Sequence, residues 1–190
     1  MKETLRQNDN QTCLPNCLLI GFSYLFPEDR LDYAVLEREL FIASYGVCRE
    51  SYVLTHCITF SRRFPSVIVQ VLVDSPEYVE ALSKLNTEEN VNIQQQEITL
   101  DWIKMKAREA PVIVSVDKYP FNHEVHTPHF LNIHRDESGQ FMIADPFSEE
   151  PQSLSAQMEK KLEWGINQFK YHMLWSPVAI SLKKASGQFN

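Results

Sequence analysis

The chain has 190 residues, of which 44% are hydrophobic and 11% aromatic, and this is enough to bury a sizeable core in one compact domain. The formal net charge is −7 and no cluster of basic residues occurs, which argues against a nucleic acid or an anionic membrane surface as partner. We therefore predict a single domain over 1–190, with its core from about 5 to 183 and a short C-terminal tail. The oligomeric state stays open.

The first residues, Met1 to Gln7, lack the apolar stretch of a signal peptide, and no run of about 18 apolar residues follows. Cysteines are too few for a disulfide scaffold, although their even number leaves pairing open. They are Cys13, Cys17, Cys48 and Cys57. We expect a cytoplasmic protein with free thiols and no membrane segment.

The first third of the chain has helical patterns. Pro15 suits the first turn of a helix, and the apolar residues that follow it predict a buried helix that Pro27 stops. Apolar periodicity then predicts helices over about 32–43 and 51–60.

Strands and helices alternate in the middle of the chain. The predicted elements are a strand at 67–73, a helix from Ser75-Pro76 to about Leu85, a strand at 92–98, a helix capped by Thr99 and a strand at 112–116.

The last third is predicted to be mostly strand. Strands at 130–134 and 141–145 flank the turn residues 136–139, and a final strand carries Val178, Ile180 and Leu182. Helices followed by a largely antiparallel sheet indicate an α+β fold, with the N-terminal helices packed on the sheet.

The hairpin allows a geometric test of whether His129 and Asp145 meet. A three-residue turn at 136–138 pairs Arg135 with Gly139, and the same register places His129 opposite Asp145. Their Cβ atoms would then lie roughly 4.5 to 5.5 Å apart, close enough for the carboxylate to hold a ring N–H. A two- or four-residue turn would shift the register by one and weaken this prediction.

Cys13 lies at the predicted start of a helix. A helix N-terminus presents unpaired backbone N–H groups and the positive end of the dipole, which both favour a thiolate. Attack of that thiolate on a carbonyl produces an oxyanion, and the Gln7 side-chain amide with the Cys13 backbone N–H could donate to it. With His129 as proton carrier, these residue types indicate acyl-transfer chemistry.

Two segments resemble the papain-like cysteine peptidases, in particular the bacteriocin-leader-processing, or double-glycine, peptidases. The first segment, Gln7 to Leu18, has a glutamine, a cysteine six residues later and a Pro-x-Cys-Leu continuation. The second has His129-Phe130-Leu131 and, 16 residues after the histidine, Asp145-Pro146. The resemblance implies a papain-like fold from about Gln7 to Leu182.

The resemblance also implies roles for single residues. Cys13 would be the nucleophile, His129 the general base and acid, Asp145 the orienting group and Gln7 the oxyanion donor. The implied activity is cleavage of a peptide or amide bond in a peptide or protein substrate, without a cofactor. An acyltransferase on the same site is an alternative.

A second alternative is an inactive module that binds a peptide without cutting it, because Leu14 stands where the family usually carries glycine. A third is metal chemistry at the histidine cluster His123, His126 and His129, although its spacing does not match the zincin His-Glu-x-x-His pattern. Asp145 before Pro146 could also simply start a turn.

Several other residues are expected to be structural. Cys17 falls one helical turn after Cys13 and is interpreted as a core thiol rather than a resolving one, while His56 is interpreted as a surface histidine. The tryptophans are expected in the core. They are Trp102, Trp164 and Trp175.

Overall fold

The computed structural model describes residues 12–44, 51–148, 150–172 and 176–185. Gln7, Cys48, Trp175 and the C-terminal tail after Ala185 lie outside the described residues. Within the described parts of the chain, no helix is both long enough and apolar enough to cross a membrane.

The helices and strands follow one another in the predicted order for most of the chain. The helices are α1 (Cys13–Leu25), α2 (Tyr33–Ser44), α3 (Tyr52–Arg63), α4 (Pro76–Leu85), α5 (Leu100–Lys106), α6 (Tyr119–Asn122) and α7 (Ala156–His172). The strands are β1 (Val67–Val73), β2 (Val91–Gln95), β3 (Val112–Asp117), β4 (Pro128–Arg135), β5 (Phe141–Ala144), β6 (Gln152–Ser153) and β7 (Val178–Lys184).

The described strands form one mixed sheet of seven, in the order β2-β1-β7-β3-β4-β5-β6. Strands β1 and β2 run parallel, and the other neighbouring pairs run antiparallel. The predicted α+β class, with a mainly antiparallel sheet, is confirmed.

Helices cover both faces of this sheet. Helices α1 to α4 pack on one face, and their core includes Leu18, Phe22, Leu40, Phe60, Leu82, Val69, Val71, Phe130 and Ile180. Helices α5 and α7 pack on the other face, and their core includes Trp102, Ile103, Leu162, Ile166, Val112, Val114, Leu131 and Ile133. The predicted helical layer is therefore present, and a second one faces it across the sheet.

Helix α1 lies unusually close to the sheet, and this closeness decides where its first residue sits. A Cβ atom on Gly21 would come within 2.9 Å of Leu182 Cδ1, so a side chain here would force the Leu182 side chain or the helix to shift. One turn earlier, the Cys17 thiol donates to the Phe130 carbonyl at 3.4 Å, and the Asn132 amide donates to the Cys17 carbonyl at 3.4 Å. These contacts fix α1 along β4.

The prediction of a mostly β last third was wrong, because residues 156–172 form helix α7. Its buried apolar stripe is narrow, with Leu162 and Ile166 one turn apart between charged residues. Ser155 caps the helix by accepting from the Met158 N–H at 3.3 Å. Trp164 on the same helix is 42% exposed, so its assignment to the core was also wrong.

Two further predictions need correction. The strand predicted over 92–98 ends at Gln95, and Ile98 packs in the second core instead of extending the strand. His56, expected at the surface, is completely buried in α3 with the Tyr52 ring edge-on at 4.5 Å. Neither ring nitrogen of His56 has a well-formed hydrogen bond within the described residues.

The buried imidazole of His56 should make the fold less stable in acid. Burial lowers the pKa of His56 from 6.5 to about 4, an effect that the Leu40 backbone offsets only in part. Between those pH values the unfolded chain binds a proton that the folded chain does not. His56 therefore leaves the free energy of unfolding unaffected above pH 6.5 and lowers it by about 3 kcal/mol as the pH drops to 4.

We expect His56→Leu to lose this acid sensitivity, as measured by urea unfolding at pH 7 and pH 4. The exposed His123→Asn is the matched control, because asparagine tolerates the left-handed backbone at that position, where φ is 57°. An equal loss of stability in acid for the wild type and His56→Leu would contradict the account.

Candidate active site

Cys13 is the first residue of α1, as the position of Pro15 predicts. Its neighbour Thr12 occupies the N-cap position without a side-chain hydrogen bond to the helix, so the first-turn N–H groups are not capped by that hydroxyl. The Cys13 side chain is only 7% exposed. The thiol therefore sits at the positive end of the helix dipole in a largely dry environment.

Leu14, the residue that departs from the family pattern, has an ordinary role in this fold. Its side chain is fully buried in the core formed by α1 to α4. Among the described non-glycine residues, His123 alone has a positive φ, so Leu14 has a right-handed backbone that any residue can adopt. The local geometry beside Cys13 does not require glycine.

His129 and Asp145 are in direct contact, as the sequence predicts. His129 Nε2 and Asp145 Oδ1 lie 2.8 Å apart, with the imidazole 3% and the carboxylate 25% exposed. His129 belongs to β4, and Asp145 immediately follows the last residue of β5.

The register that led to this prediction was wrong. Arg135 pairs with Phe141 instead of Gly139, so the loop spans five residues and Asp145 is offset by two positions from His129. Asp136 closes this longer loop through a hydrogen bond from its N–H to the Gln140 carbonyl at 2.9 Å. An offset of two residues keeps side chains on the same face of the sheet, which is why the contact survives.

The Asp145 carboxylate is held from a second direction by its own turn. The Phe147 N–H donates to Asp145 Oδ1 at 2.9 Å, and the Ser148 N–H donates to the Asp145 carbonyl at 2.8 Å. Asp145 therefore both starts a turn and binds His129. Burial alone would raise the pKa of this carboxyl, but His129, the Phe147 N–H and the charge of Lys118 together lower it.

The charge of His129 results from the same competition. Burial is the largest single influence and disfavours the imidazolium. The hydrogen bonds and charges of Asp145 and Cys13 outweigh it and raise the pKa of His129 from 6.5 to about 9. Because Nε2 faces Asp145, Nδ1 is the ring nitrogen left for the Cys13 thiol. The imidazole thus connects the thiol to the carboxylate.

The second cysteine of α1 is a core residue, as predicted. Cys17 is fully buried, and burial, followed by the nearby charges of Cys13 and Asp145, raises the pKa of its thiol well above the usual value. Cys13, Cys17 and Cys57 are all unpaired in the structure. Of the two thiols in α1, Cys13 is the one placed against His129.

The structure adds three residues that the sequence patterns did not single out. The Tyr52 hydroxyl lies near Cys13, since burial and then the Cys13 charge raise its pKa. Lys118 and Phe147 contact each other beside His129 and Asp145. Phe147 could have been found from its place two residues after Asp145, but Tyr52 and Lys118 reach the site from distant segments.

The three histidines weighed as an alternative metal site have different surroundings in the structure. His129 binds Asp145, whereas His126 Nδ1 lies 2.5 Å from Asp117 Oδ2, and His123 is exposed at the end of α6. No set of three or more His, Cys, Asp or Glu side chains among the described residues is arranged to hold a metal ion. His123 and His126 both contact the Tyr119 ring, whereas His129 contacts the Phe147 ring.

Comparison with known proteins does not assign the chain to a family. No protein-family model matches the chain, and a search of curated proteins finds no match. Gln7 lies outside the described residues. The contacts of Cys13, His129 and Asp145 with one another therefore define the candidate site.

Replacing Asp145 with asparagine should remove the charge that keeps His129 protonated while retaining an oxygen near its ring. Burial then dominates, and we expect the His129 pKa to fall well below 9 in an NMR titration of the imidazole. The protonated His129 stabilises the wild-type fold fully below pH 6.5, and this stabilisation is lost as the pH rises through 9. In Asp145→Asn the loss of stability at alkaline pH should therefore be smaller.

The control for this experiment is Glu137→Gln, which changes an exposed carboxylate in the turn of the same hairpin. That variant should leave the His129 titration unchanged. An unaltered His129 titration in Asp145→Asn would show that the carboxylate does not set the charge of the ring.

Proposed function

We propose that this protein is a papain-like thiol hydrolase that cleaves a peptide or related amide bond through Cys13. The observation that carries the proposal is the continuous set of contacts from the Cys13 thiol through the His129 ring to the Asp145 carboxylate. Nucleophile, proton carrier and orienting group are the three parts that such chemistry requires.

The first half of the proposed reaction forms a thioester. Transfer of the thiol proton to His129 Nδ1 gives a resting thiolate–imidazolium pair, and Cys13 Sγ then forms a bond to the carbonyl carbon while the carbonyl electron pair moves to oxygen. The backbone N–H of Cys13, at the start of α1, is a donor for that oxyanion, and Gln7 is the second donor implied by the resemblance. Collapse of the intermediate breaks the C–N bond, and His129 gives its proton to the leaving amine.

The second half releases the acyl group. His129 takes a proton from water, the water oxygen attacks the thioester carbon, and the S–C bond breaks to release a free acid and restore the Cys13 thiolate beside protonated His129. Asp145 stabilises the imidazolium in both halves because its carboxylate accepts the Nε2–H. An amine acceptor in place of water would give acyl transfer on the same residues.

The surroundings favour this ion pair. His129 is 3% exposed, and charges attract each other more strongly in such a water-poor environment than in bulk water. The nucleophile must also stay reduced, so we propose that the protein works in a reducing compartment such as the cytoplasm. We propose a peptide or protein as its substrate.

Replacing Cys13 with alanine should abolish turnover of a fluorogenic peptide-amide library and prevent acylation by an activated ester, as detected by intact mass. The loss should exceed about 10³-fold, because the nucleophile itself is removed. Cys57→Ala is the matched control, since Cys57 is a buried thiol in α3 that the mechanism does not use.

Turnover at the wild-type rate in Cys13→Ala would overturn the proposal. A wild-type protein that binds a peptide from the library but neither cleaves it nor becomes acylated would indicate the peptide-binding module instead. A new amide product formed with an added amine would indicate acyl transfer.

A further inference from the structure

Lys118 is placed beside the site by a rigid segment of backbone. It directly follows β3, and its N–H donates to the Thr127 carbonyl at 2.9 Å, next to the paired residues Asp117 and Pro128. The fully buried Asp117 carboxylate is bound by His126 and by the Tyr119 N–H. The backbone of Lys118 is thus fixed by contacts on both sides.

The ammonium group of Lys118 lies over an aromatic ring that contacts the site. Lys118 Nζ is 3.7 Å from the centroid of the Phe147 ring, a close cation–π contact. The same ring lies 5.2 Å from the His129 ring, centroid to centroid, with a tilt of 32°. The Phe147 N–H donates to Asp145 Oδ1 at 2.9 Å. Phe147 therefore connects Lys118 to both members of the pair.

Building on the proposed function, we propose that Lys118 is a positioning residue for the His129–Asp145 pair. Its ammonium holds the Phe147 ring against His129, and its positive charge favours the ionised form of Asp145. Lys118 acts through these neighbours and does not touch the reacting atoms.

The charges around the pair make this role specific. The other titratable groups coupled to the site by charge are Cys13 and Cys17 on α1 and Tyr52 on α3. None of these groups supplies a positive charge. Among the described residues, the cations whose charge acts on Asp145 are His129 and Lys118. His129 is hydrogen-bonded to the carboxylate, whereas Lys118 acts on it through its charge.

The test compares Lys118→Met, which keeps the length of the side chain without its charge, with Lys118→Arg, which keeps the charge. NMR titrations of the His129 imidazole and the Asp145 carboxyl group are the primary readout. In Lys118→Met the Asp145 titration should move to higher pH, because loss of a nearby cation disfavours the carboxylate.

Lys118→Arg should keep the wild-type titrations. Lys184→Met is the matched control, since Lys184 Nζ lies 4.8 Å over the Phe26 ring, a lysine–aromatic contact outside this site. Lys118→Gln replaces Lys118→Met if the latter does not fold. Wild-type titrations in the neutral variants, or an equal shift in Lys184→Met, would overturn the proposal. The NMR titrations decide this even if wild-type Cys13 proves unreactive, which would count against the proposed function alone.

Discussion

The hydrogen bond between His129 Nε2 and Asp145 Oδ1 is the interaction on which the proposed chemistry depends. A histidine as buried as His129 would ordinarily be neutral, because burial disfavours its charged form. The carboxylate and the Cys13 thiol reverse that outcome and keep the ring protonated through neutral pH. Without the carboxylate, the ring would be a poor partner for a thiolate and a poor donor to a leaving group.

The fold brings the members of this site together from two distant parts of the chain, the start of α1 and the hairpin of β4 and β5. Pairing of β4 with β5 carries His129 and Asp145 to the same end of the sheet. Gly21 lets α1 lie close to β7, and hydrogen bonds from the Cys17 thiol to the Phe130 carbonyl and from the Asn132 side chain to the Cys17 carbonyl set the helix along β4. The first residue of α1 thereby reaches the imidazole. The sheet and one closely packed helix are thus sufficient to assemble the three groups.

Local sequence patterns predicted much of this arrangement, whereas contacts between distant segments could not be predicted from the sequence. The start of α1 could be read from Pro15, and the Thr99 cap accepts from the Trp102 N–H as expected. The hairpin register could not be read, because the Asp136 side chain binds the Gln140 N–H and stabilises a longer loop. The contact of Lys118 with Phe147 depends on packing between segments that share no sequence pattern.

The most direct test of the central claim is the rate of Cys13 alkylation from pH 4 to 9, followed by peptide mass spectrometry with the buried Cys17 as internal control. The account predicts fast alkylation of Cys13 well below pH 7, slowed in His129→Ala, while Cys17 stays unreactive. Alkylation of Cys13 that follows an ordinary thiol, with no effect of His129→Ala, would contradict the thiolate–imidazolium pair.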